Sequence, residues 1–175
     1  MTQPSQRALL VIDLQNDYFP GGAFPQWNTD ATLLNIEQAM AKAKAAGTPI
    51  IHIQHIADPT RGIAPFFNKD SVGAEIHQRV LAAAPDAPVV IKAYADGFHH
   101  TNLEATLQEL GITELLVCGM MTQNCVTHTA ISKAAEKYTV SILADCCTTV
   151  SEMIHLIALN AASTRVPLVN SADVL

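Results

Sequence analysis

Three side chains spread through the 175 residues, Asp13, Lys92 and Cys125, are of the types that acyl transfer at sulfur requires. A free thiol titrates at about 8.5 and is largely protonated at neutral pH, but a helix N-terminus and a nearby cation both favour its ionised form. Cys125 is predicted to have both, with a helix starting at Thr122 or Gln123 and Lys92 beside it. A carboxylate in reach, Asp13, can take the thiol proton and later deliver it to a leaving amine. Unpaired amides at the helix start would supply donors for a developing oxyanion, each worth about 3 kcal/mol. Each residue also has a plainer reading: Asp13 as a turn former or helix cap, Lys92 as a solvated strand terminator, Cys125 as a small buried filler. The chemical reading gains weight only if the chain brings all three to one place.

The order of elements provides that place. Ala8 to Leu14 is continuously apolar, as a central parallel strand should be, and Asp13 lies at its end. Asp30 can cap a helix running through Leu33, Ile36, Met40 and Ala43 that Gly47 stops. Further strands are predicted at Pro49 to Ile56, at Val89 to Lys92, at Glu114 to Gly119, at Thr139 to Ala144 and, briefly, at Arg165 to Val169. Between them lie a short helix around Ala74 to Ala83, a helix opened by a Thr101–Glu104 capping box, one from Thr122 to about Tyr138, and a last one from about Ser151 to Ser163. This alternation predicts an α/β fold: a three-layer α/β/α sandwich around a mainly parallel, Rossmann-like sheet of five or six strands, in a single domain over residues 1–175. In such sheets reactive groups gather beyond the carboxyl ends of the strands, where strand order reverses. Asp13, Lys92 and Cys125 all map to that edge.

Composition excludes several classes of function. Hydrophobic residues make up 49% and charged residues 15%, the latter well below the roughly 25% of an average soluble protein, so a large buried fraction is expected. The apolar runs are strand-length, far short of the roughly 18 residues that span a bilayer. Sixteen acids against ten bases give a net charge of −6 without a basic cluster, which argues against nucleic acid and anionic membrane partners. The polar start, Met1 to Arg7, and the short apolar stretch after it are not those of a signal peptide. Four cysteines, Cys118, Cys125, Cys146 and Cys147, have neither zinc spacing nor the density of a secreted disulfide framework, so a cytoplasmic setting is expected.

The same residues carry a family resemblance. Asp13-Leu-Gln-Asn-Asp-Tyr-Phe19, Lys92 followed by Phe98-His-His-Thr-Asn-Leu103, Gly119-Met-Met-Thr-Gln-Asn-Cys-Val126 with Thr129-Ala130, and Asp145 resemble the isochorismatase-like cysteine hydrolases in order along nearly the whole chain. The resemblance implies that Cys125 is the nucleophile, Asp13 the general base and then acid, and Lys92 the supporting cation. It also implies a non-proline cis peptide between Met120 and Met121 that turns the Met121 amide toward that of Cys125 to form an oxyanion hole. Family members that keep the thiol hydrolyse C–N bonds of small amides and ureido acids. Those that cleave isochorismate, a vinyl ether, lack it. Assembly into homo-dimers or tetramers is a further family expectation.

Some features depart from the family or stay open. Nicotinamidase members hold a metal with an Asp and His residues near the second strand, where this chain has Ile51-His-Ile-Gln-His-Ile-Ala-Asp58. His52 and His55 point to opposite faces of a strand and Gln54 stands where a carboxylate is wanted, so no metal and no other cofactor is expected. Phe19, Trp27, Phe66, Phe67, Tyr94 and Phe98 fall in loops near the carboxyl edge. They could line a planar apolar substrate pocket, with His99 and Gln123 contacting the substrate, or form a subunit contact. His99 and His100 could equally be solvated loop residues. Asn16 and Asp17 are expected to shape the loop after Asp13, and Thr122 to cap the Cys125 helix. Cys118 reads as structural, and Cys146 and Cys147 as packing residues rather than a resolving pair for oxidised Cys125. A vinyl ether hydrolase, a non-catalytic domain and a thiol-redox protein remain the alternatives to an amidohydrolase.

Overall fold

The computed structural model describes residues 6–175. The unbroken apolar run of β1 (Arg7–Ile12) lies in the middle of a six-stranded sheet, where both faces of a strand must be covered. The remaining elements follow in alternation: α1 (Thr29–Ala45), β2 (Ile50–His55), α2 (Gln78–Ala83), β3 (Val89–Lys92), α3 (Leu103–Glu109), β4 (Glu114–Met120), α4 (Thr127–Ala130), β5 (Thr139–Thr148), α5 (Glu152–Ala162), β6 (Leu168–Val169) and α6 (Ser171–Val174). Every strand pair is parallel, in the order β3-β2-β1-β4-β5-β6. The chain travels outward from β1 to β3, crosses back to β4, and travels outward again to β6. Right-handed crossovers in these opposite directions put helices on opposite faces, which gives the expected α/β/α sandwich. The reversal falls between β1 and β4, so the crevice at their carboxyl ends is the place for a site.

The core is the sheet. Leu9, Leu10, Ile12, Ile51, Leu116, Val117, Ile142 and Leu143 are all buried. At the centre, β4 passes so close to β1 that a Cβ on Gly119 would lie 2.1 Å from the Ile12 carbonyl oxygen, and Gly119 has φ +123°. Only glycine fits there.

Local signals were less faithful than the sheet pattern. The helix expected from Thr122 to Tyr138 is three pieces: a π-helical turn at Thr122–Val126, α4, and a 3₁₀ segment at Lys133–Lys137. Hydroxyl side chains compete with its backbone ladder, since Thr127 Oγ1 donates to the Thr122 carbonyl and Ser132 caps the 3₁₀ segment. The capping box does not form. Asn102 precedes α3, Thr101 Oγ1 donates to the Gly97 carbonyl, and Glu104 pairs with Lys137 instead. Asn28, in a left-handed conformation, precedes α1, and Asp30 lies in its first turn, where a negative charge suits the helix dipole. β5 runs on to Thr148, with Cys146 and Cys147 buried inside it, because its register against β4 breaks between Val117 and Gly119. α6 had no signal in the sequence.

Candidate active site

Asp13 sits one residue past β1 with φ 53°, a left-handed conformation uncommon for residues other than glycine and tolerated by Asp. Its N–H donates to the Ile53 carbonyl and its own carbonyl accepts from Gln15, so the turn is pinned between β1 and β2. Lys92 ends β3, and the parallel register sets it opposite His55 of β2. Cys125 lies in the π-helical turn that comes after β4. Three strands and one turn therefore deliver these side chains to the carboxyl edge beside the reversal point.

There the three meet. Lys92 Nζ donates to Asp13 Oδ2 at 2.9 Å and to Cys125 Sγ at 3.2 Å, with Asp13, Lys92 and Cys125 all essentially sealed from solvent. A third bond joins Lys92 Nζ to His55 Nδ1 at 2.9 Å. An ammonium group has donors only, so the imidazole must accept at Nδ1 and carry its proton on Nε2. The second carboxylate oxygen, Asp13 Oδ1, is buried with no hydrogen-bond partner among the described residues.

The electrostatics correct one expectation. Cys125 was expected to be acidified, yet burial pushes its thiol well up and the Asp13 carboxylate adds to that, outweighing the opposing Lys92 cation. The resting thiol keeps its proton. Burial works to lower Lys92, but Asp13 and Cys125 outweigh it and hold the ammonium charged. His55 is lowered to about 4 by burial and by the Lys92 charge, and is neutral at pH 7.

Comparison with known proteins identifies the family of the chain. A model of the isochorismatase domain matches residues 7–173. The chain belongs to the isochorismatase family. It is similar to the uncharacterized isochorismatase family protein YddQ of Bacillus subtilis, with 37% identity over 148 residues, covering 85% of this chain and 81% of that one. It is also similar to a ureidoacrylate amidohydrolase of Methylobacterium radiotolerans, 29% identical over 172 residues, covering 81% of this chain and 67% of the relative. Among solved structures, an isochorismatase-type hydrolase of Oleispira antarctica superposes with a TM-score of 0.87 at 31% identity, covering 99% of this chain and 97% of the other.

The remaining candidate residues of this isochorismatase-family chain have the following surroundings. The Met120–Met121 peptide is cis, and Met121 leads into the π-helical turn. Gln123 is half-buried, its Oε1 buried without a partner among the described residues and its Nε2 against Met121 Sδ. The rings expected to line a pocket have these ring neighbours. Phe19 is buried against His77, Trp27 lies near His155, Phe98 is buried and stacked with Tyr138, and the exposed His99 packs on Tyr94 and His100. Phe66 and Phe67 cluster with Tyr18. Asp17 accepts from the Ala23 and Phe67 amides and Asn16 donates to the Val72 carbonyl, so both shape loops as expected. Thr122 is no cap: its hydroxyl bonds His155 Nδ1 of α5 at 2.8 Å.

The metal arrangement of the nicotinamidase members does not fit these residues. His52 is buried on the other side of β2 with Nε2 on the Ala84 carbonyl, and Gln54 donates to the Ala74 carbonyl. One ligand atom each of Asp13, His55 and Cys125 does lie within 4.8 Å of the others, but the Lys92 ammonium hydrogen-bonds to all three side chains and supplies the cation among them. His55 is the site residue that sequence reasoning missed. The available signal was its register opposite Lys92, which requires strand pairing that spacing alone does not reveal.

Proposed function

We propose that this protein hydrolyses an amide or ureido C–N bond of a small molecule through a thioester on Cys125. The observation that carries the reading is the buried Lys92 ammonium bonded at once to the Asp13 carboxylate and the Cys125 sulfur. Asp13 takes the thiol proton as Cys125 Sγ attacks the substrate carbonyl, forming the C–S bond. The negative charge moves to the carbonyl oxygen, for which the Met121 and Cys125 amides are the proposed donors. Asp13 then protonates the leaving nitrogen and the C–N bond breaks. Water, activated by the same carboxylate, attacks the thioester, the acid leaves, and Cys125 regains its proton. Lys92 keeps its charge throughout, offsetting the carboxylate and the transient thiolate.

Phe19, Trp27, Phe98, His99 and Gln123 are the residues proposed to surround the substrate. No metal or other cofactor takes part in these steps. The amidohydrolase relative supports C–N chemistry over vinyl ether cleavage, as does the presence of the thiol. The four free cysteines suit a reducing, cytoplasmic setting. No helix among the described residues is long and apolar enough to cross a membrane. The outer face of α5, with Met153, Leu156 and Ile157 exposed, suits the proposed homo-oligomer. Ammonia release from a panel of small primary amides and ureido acids tests the reading. Turnover that disappears in Cys125→Ala supports it, and turnover retained in that variant overturns it.

A further inference from the structure

Lys92 has three N–H donors and meets three acceptors: Asp13 Oδ2 at 2.9 Å, His55 Nδ1 at 2.9 Å and Cys125 Sγ at 3.2 Å. Two of these belong to the reacting groups. The third is a neutral ring with no part in the chemical steps, yet it is tightly fixed. The His55 N–H donates to Gln15 Oε1 at 2.8 Å, and Gln15 Nε2 donates back to the His55 carbonyl at 2.8 Å and to the Ala74 carbonyl at 2.7 Å. Gln15 itself is completely buried. One amide side chain thus clamps both backbone polar groups of His55 and ties them to the turn that carries Asp13. The ring of Phe67 lies 5.8 Å from the imidazole, and the β2–β3 register puts His55 directly opposite Lys92.

From this geometry we propose that His55 is a positioning residue, acting through Lys92, that takes the third ammonium hydrogen and so fixes the cation between Asp13 and Cys125. A lysine side chain has four rotatable bonds, and an ammonium with only two acceptors can rotate about its Cε–Nζ bond and draw in water. With all three hydrogens engaged, the charge stays at the sulfur and needs no solvent inside the cluster. The acceptor must be neutral, which the imidazole is at pH 7. Gln15 is the outer part of the same device, since it sets where the imidazole begins.

This inference rests on the proposed role of Cys125 as nucleophile, and its test needs no substrate. The probe is chloroacetamide, with the alkylation rate of each cysteine followed by peptide mass between pH 6 and about 9.5. In the wild type Cys125 is expected to react faster than Cys118, Cys146 and Cys147. His55→Leu removes the acceptor and is expected to slow Cys125 alkylation about ten-fold at pH 8 and move its pH profile to higher pH. His55→Asn places an oxygen near the former Nδ1 and is expected to recover most of that rate with a profile like the wild type. His55→Ala gives a second acceptor-free variant should Leu disturb folding. Equal rates and profiles in wild type and both acceptor-free variants overturn the inference, as does a His55→Asn as slow as they are. A wild type in which Cys125 reacts no faster than the other thiols overturns the reading of the site itself and this inference with it.

Discussion

The Asp13 carboxylate and the Lys92 ammonium form an ion pair at 2.9 Å with neither side chain exposed to solvent. Such a pair has lost its hydration and is held by mutual attraction and by its remaining hydrogen bonds, so removing one partner leaves an uncompensated buried charge. Lys92→Met is expected to destabilise the fold by about 3–5 kcal/mol at pH 7. Denaturant unfolding checks this, and a Lys92→Met protein as stable as the wild type would mean that the pair is not sealed as described.

Gly119 allows β4 to lie against β1 beside the residue where Asp13 leaves the sheet. A methyl group there would sit 2.1 Å from the Ile12 oxygen with the backbone at φ +123°. Both the overlap and the conformation oppose it, so Gly119→Ala is expected to cost about 3 kcal/mol or more in unfolding free energy, or to abolish soluble expression. Gly47→Ala has a positive φ but open space around it and serves as the control, with a smaller loss.

Histidine titration sets the acid side of stability. His55 is lowered from 6.5 to about 4, and His52, His77 and His155 are also lowered, chiefly by burial. Between pH 6.5 and 4 the unfolded chain binds protons at His55 that the folded chain does not, so stability falls as pH falls through that window. The His55 contribution is about 3 kcal/mol over the full window. Urea unfolding at pH 7 and pH 4 should show the wild type losing that much more than His55→Asn; equal losses in the two proteins would contradict the burial of the imidazole.

Chelation gives the opposite kind of expectation. With the Lys92 ammonium bonded to Asp13, His55 and Cys125, the proposed hydrolysis is expected to survive prolonged dialysis against EDTA with its rate unchanged. Activity lost on dialysis and restored by zinc or iron would contradict the placement of the cation.

The sheet and its reactive edge were legible because burial on both faces writes itself as an unbroken apolar run such as Ala8 to Ile12, which Asp13 follows, and because Lys92 ends the short apolar run of the edge strand β3, buried on one face only. The stretch around and beyond Cys125 was not legible. A helical pattern over Thr122 to Tyr138 does not show that the Thr127 hydroxyl takes a carbonyl from the ladder, nor that Thr122 turns to His155. The capping box failed for a related reason: Glu104 found Lys137, 33 residues away, where local spacing supplied Thr101. His55 was hidden because its neighbour lies across a strand pairing. The thiol was misjudged because residue types suggest a nearby cation but say little about burial, and burial dominates at Cys125.

The central claim is a covalent bond between Cys125 and the acyl part of the substrate. The most direct measurement is peptide mass analysis of enzyme quenched in acid during steady turnover of the best amide found in the ammonia-release panel. The account predicts an acyl adduct on the peptide containing Cys125, with no adduct on Cys118, Cys146 or Cys147 and no turnover in Cys125→Ala. Steady turnover with no adduct at Cys125, together with undiminished turnover in Cys125→Ala, would contradict it.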